Sequence, residues 1–176
     1  MWAIVYVVAF VGSLIGASCA LRVQYLAATE ATSKQLLDPL YLLCIIYCAV
    51  NILICIWEII LWVHQDQVIH LYNGYKKKLS RSQLPSPLFL FSDVSMSDAL
   101  SLKFWADVWG TYALLDVSYA QPGSFGYNAD VGNGFSTLIP TILSLILFSN
   151  PLLLAPFAEV RVWAFFLAWS HWQVRN

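Results

Sequence analysis

Pro39–Val63 reads PLYLLCIIYCAVNILICIWEIILWV, an apolar run in which Glu58 is the sole charge. A bilayer-spanning helix needs roughly 20 such residues, so this stretch is read as a transmembrane helix. Tyr41, Cys44, Cys48, Asn51, Cys55, Glu58 and Trp62 recur three or four apart and form one helical stripe. Leu42, Ile45, Ile46, Leu53, Ile56 and Ile60 fall mostly elsewhere, giving an aliphatic face for lipid and a small or polar face for neighbouring helices. A carboxylate inside such a run is costly, and its default reading is a functional group facing a bundle interior.

Composition extends that reading to the whole chain. Of 176 residues, 60% are hydrophobic and 11% charged, with a net charge of −1. Such a composition marks an integral membrane protein, and the charge balance gives no reason to expect nucleic acid. Cys19, Cys44, Cys48 and Cys55 all lie in apolar runs and read as packing residues. No metal or cofactor signature is present.

The expected architecture is one all-α membrane domain, 1–176, in the form of a four-helix bundle. Its spans are read at about 2–21, 39–63, 130–149 and 152–172. The first contains Gly12-Ser-Leu-Ile-Gly16, a small-xxx-small pair that permits close helix approach, and is read as a retained span. Arg22–Asp38 is a polar connection, and 64–97 a polar loop carrying Lys76, Lys77, Lys78 and Arg81. The basic residues place that loop on the cytosolic side. An interfacial amphipathic helix is expected at 98–115, with Phe104, Trp105, Val108, Trp109 and Tyr112 on its apolar face. Asp130 then heads the third span, where free N–H groups favour an anion. Glu159 and Arg161 interrupt the fourth apolar stretch.

Glu58 and Asp130 thus fall near the same leaflet and could share one pocket, the two candidate catalytic residues. Candidate ligand-binding residues are Asn51, Trp62, Trp105, Trp109, Tyr112, Asp116, Tyr119, Phe125, Asn133 and Thr137. A protonated acid could donate to an alkene while the other withdraws a proton, and aromatic faces would stabilise the intervening cation. The structural alternative for Glu58 is a polar pair that fixes helix packing. Asp116 with Tyr112 and Tyr119 also reads as a loop-bracing cluster.

Trp109-x-x-Tyr112-x-x-x-Asp116-x-x-Tyr119, followed by Phe125-x-x-x-x-Asp130, resembles the EXPERA or emopamil-binding family of sterol isomerases and relatives, which includes the sigma-two receptor. The resemblance covers Asn51–Trp62 and Trp105–Ser144. It implies a sterol-like or cationic amphiphilic ligand between Glu58 and Asp130, and an intracellular organelle membrane. The chain departs from the family where its usual His is replaced by Ile54, and where Asp130 stands for a Glu. The proton-transfer set is therefore incomplete, and enzymatic activity stays open. A second reading is an accessory subunit of a large respiratory or photosynthetic membrane complex, with other membrane subunits as partners and a role in packing or in lipid or pigment binding.

Overall fold

The computed structural model describes residues 2–30, 36, 38–78 and 94–157. Helices α1 (Trp2–Ala28), α2 (Pro39–Val63), α3 (Gln65–Lys78), α4 (Met96–Ala99), α5 (Leu102–Tyr112) and α6 (Phe125–Ser149) follow in order. Two 3-10 turns, Val117–Ala120 and Pro151–Phe157, complete the described chain, which contains no strand. Among the described residues three helices, α1, α2 and α6, are long and apolar enough to cross a membrane. The remainder of the stretch read as a fourth span, with Glu159 and Arg161, lies outside the described residues.

Four boundaries differ from the sequence reading. First, α1 runs on to Ala28, because the polar Arg22 and Gln24 are good helix formers and do not interrupt it. Second, the segment read as loop 64–97 opens with a 14-residue helix, α3, joined to α2 through His64. Its Val68, Leu71, Tyr72 and Tyr75 repeat at helical spacing. Third, the helix expected at 98–115 divides into α4 and α5 at Leu100 and the extended Ser101. Fourth, α6 begins at Phe125, five residues before Asp130, with the Ser124 hydroxyl accepting from the Tyr127 amide at 3.2 Å.

Backbone packing divides the chain into two compact units. The first comprises the described residues of Met1–Val8 and Ile56–Gly134, the second those of Ala9–Cys55 and Phe135–Asn176.

In the first unit, α5 turns part of its apolar face into the unit's own core. Trp105, Ala106 and Val108 pack there with Ala3, Ile60, Leu61, Val68 and Tyr127. Gly110 allows α3 to approach, since a Cβ there would lie 2.9 Å from the Leu71 Cβ. The Gln67 amide ties α3 to α5 by donating to the Lys103 carbonyl at 3.1 Å and to the Asp107 carboxylate.

In the second unit, polar side chains pair between α2 and α6. The Asn51 amide donates to the Thr141 hydroxyl at 2.9 Å, and Cys55 Sγ lies 3.0 Å from the Thr137 hydroxyl. All four residues are buried. Such pairs satisfy polar groups where no bulk water reaches them.

Candidate functional site

The first unit holds a cavity of about 210 Å³ lined by Trp57, Trp105, Val108, Trp109, Tyr112 and Tyr119. Its walls are fixed before any ligand arrives. Trp57 and Trp105 stack with ring centroids 4.9 Å apart, and Phe104 meets Trp105 edge-on at 5.1 Å. Tyr6 adds a further ring 5.4 Å from Trp105. Trp109 sits 4.9 Å from Tyr119 and 6.0 Å from Tyr112.

Two indole N–H groups anchor these rings to backbone. Trp105 donates to the Ala99 carbonyl at 3.0 Å, and Trp109 to the Trp57 carbonyl at 2.8 Å. The first bond binds α5 to α4, and the second binds it to α2. A buried indole needs such a partner, so the bonds fix ring orientation as well as position.

Behind the wall sit the acids. Tyr119, in the turn after α5, donates its hydroxyl to the Asp130 carboxylate. Burial, and then the negative charge of Asp130, push the Tyr119 phenol up to about 12, with Asp116 and Glu58 adding to the effect. The hydroxyl therefore stays protonated at ordinary pH. Glu58 is 5% exposed, and its Oε2 accepts from the Asn133 amide at 2.5 Å. Glu58, Tyr119, Asp130 and Asn133 form one polar group, yet of these only Tyr119 lines the cavity.

Asp130 lies in the second turn of α6, so the free N–H groups invoked for it at a helix start belong to residues nearer Phe125. Its negative charge acts through Tyr119.

The candidate residues thus separate. Trp105, Trp109, Tyr112 and Tyr119 form cavity wall, and Asn133 holds Glu58. Trp62 is 52% exposed and Phe125 89% exposed, and neither lines the cavity. Trp62 follows Glu58 by four positions on the α2 stripe, but the cavity opens on the flank that carries Trp57. Phe125 is the first residue of α6 and projects outward. Asp116 is exposed, and its carboxylate accepts from the Ser118 amide at 2.9 Å, which holds its carboxyl below the usual range. That is a turn cap. Asn51 and Thr137 belong to the polar pairs of the second unit.

Trp57 and Val108 were not among the candidate site residues. Val108 is readable on the apolar face of α5. Trp57 adjoins Glu58, about 100° round the helix and off the stripe that Glu58 defines.

The wall offers π faces and one phenol hydroxyl that reports to a carboxylate. Such a surface holds a cation by its ring quadrupoles, or a flat apolar ring by stacking. Compared with family models, curated proteins and solved structures, the chain matches none.

Proposed function

We propose that this is an EXPERA-like, four-span membrane protein that binds a sterol-like or cationic amphiphilic ligand in the cavity between α2, α5 and the turn at Tyr119. The observation that carries the reading is the aromatic cavity backed by the Tyr119–Asp130 pair. A volume of about 210 Å³ is below the ~300–1,000 Å³ typical of whole-ligand pockets. The cavity therefore takes one end of the amphiphile, a ring or an amine head, while the remainder stays in lipid. Asp130 favours the cation from behind the wall, by keeping the Tyr119 hydroxyl polarised. Glu58 braces the site through Asn133. The segment bearing Lys76, at the end of α3, faces the cytosol, and the membrane is that of an intracellular organelle.

The test is equilibrium binding of a tritiated aryl-alkyl tertiary amine to the purified protein in mild detergent. Trp109→Leu removes a π face from the wall and should weaken binding about tenfold. Asp130→Asn should weaken it severalfold, while a neutral analogue of the same shape should lose little. Equal affinity for all three proteins would remove the reading.

A further inference from the structure

A different group in the second unit points to a second ligand. The Arg22 guanidinium on α1 lies between two phenol rings, 5.2 Å from the Tyr25 centroid and 5.0 Å from that of Tyr41. Tyr41 is itself fixed, because its hydroxyl donates to the Ser18 carbonyl at 3.1 Å. Arg22 Nη1 donates to the Phe148 carbonyl at 3.4 Å, a long bond to the last turn of α6. Its Nε is buried and has no partner among the described residues. No described carboxylate pairs with this cation.

A helix C-terminus attracts a cation, and that accounts for the bond to Phe148. It uses one of the five N–H donors of a guanidinium. The rings hold the group, and most of its donors have no bond among the described residues. A planar fork held in this way suits the oxygens of a phosphate.

The position along α1 says which phosphate. With 27 residues α1 is about 40 Å long, some 10 Å more than the hydrocarbon of a bilayer. Arg22 precedes the end at Ala28 by six residues, or about 9 Å of helix, which is headgroup depth for a spanning helix. Only 6% of the apolar window of α1 is buried in the protein, against 44% for α2, so its flank is open to acyl chains. Val23 on α1 and Leu43 on α2 are exposed apolar side chains of the same unit.

We infer that Arg22, clasped by Tyr25 and Tyr41, is a binding site for the phosphate of a membrane phospholipid, whose chains lie along α1. The rings desolvate the guanidinium, so a single phosphate is worth more here than at a freely hydrated arginine.

The experiment is native mass spectrometry of the full-length protein in mild detergent, titrated with phosphatidylglycerol. Wild type should retain one lipid through delipidating washes, and Arg22→Gln should weaken retention about tenfold. Tyr25→Leu keeps the charge, loosens the clasp, and should weaken retention about threefold. Millimolar inorganic phosphate should leave the bound lipid in place; displacement would overturn the lipid as the source of the phosphate. Equal lipid retention by Arg22→Gln, with only its melting temperature lowered, would reduce Arg22 to a cap on α6 and overturn the inference. Should Arg22→Gln not fold, unchanged retention by Tyr25→Leu would overturn it alone.

Discussion

The two units handle buried polar and aromatic groups in opposite ways. In the second, Asn51, Cys55, Thr137 and Thr141 are spent on one another, side chain to side chain. In the first, Trp105 and Trp109 are tied to backbone carbonyls by their edges, the Trp57 indole nitrogen is buried without a partner among the described residues, and the ring faces are left round a space. Mutual pairing yields helix adhesion. Edge-anchored rings yield a preformed cavity, because the groups that fix the wall are not those that would meet a ligand. A polar stripe on a membrane helix is therefore weaker evidence for a site than aromatic residues whose polar atoms are already satisfied.

Substitutions should separate the units by size of effect. Trp105→Ala removes a ring that is 3% exposed and contacts Trp57, Tyr6 and Phe104. It should cost about 3–5 kcal/mol and abolish amphiphile binding, as read by unfolding in detergent and by ligand titration. Retention of both would mean that the first unit is not organised round this ring. Next, Glu58→Leu leaves the Asn133 amide without its carboxylate and should cost about 1–3 kcal/mol. Glu58→Gln keeps an acceptor and should cost much less. Equal losses in the two variants would show that charge, not hydrogen bonding, is what Asn133 needs.

The alkaline limb of the site belongs to Tyr119. Its folded value near 12 lies above the ordinary 10, so the contribution of the phenol is intact below pH 10 and lost between pH 10 and 12. Phenolate absorbance should lose a late-titrating step in Tyr119→Phe. Asp130→Asn should move that step to lower pH, because a negative neighbour is gone; an unmoved step would separate Asp130 from Tyr119. The smallest effect is expected in the second unit. Asn51→Leu should cost about 0.6 kcal/mol or less, typical of a hydrogen bond between membrane helices. Asn51 Oδ1 is already buried without a partner, and the Thr141 hydroxyl keeps its bond to the Thr137 carbonyl. A loss above 2 kcal/mol would make the polar pairs the stronger of the two organising devices.

The helices were legible in proportion to how sharply their composition changes at the ends. Pro39 and His64 bracket α2, and the apolar run between them leaves no choice of register. At α1 the polar Arg22 suggested an end, but a change of polarity does not unwind a helix, and Thr29 follows only later. For α6 the start signal is Ser124, whose hydroxyl caps the first turn, and not Asp130. Helix α3 was hidden by its charges, although Val68 and Leu71 carried its period. The aromatic face of α5 could be read directly, and it supplies Trp105, Val108, Trp109 and Tyr112 to the wall. Trp57 could not, because nothing in the pattern of α2 says which flank α5 covers. The distance of Glu58 and Asp130 from the wall was equally invisible, since periodicity gives a face and not a depth.

The claim at the centre of this account is that the aromatic cavity of the first unit, and not the polar stripe of the second, receives the ligand. Photocrosslinking by a diazirine-bearing tertiary-amine amphiphile, followed by peptide mapping, tests it directly. The account predicts label on Trp57 and within residues 105–119, competed by the unmodified amine and lost in Trp109→Leu. Competable label confined to residues 39–55 and 135–149 would contradict it.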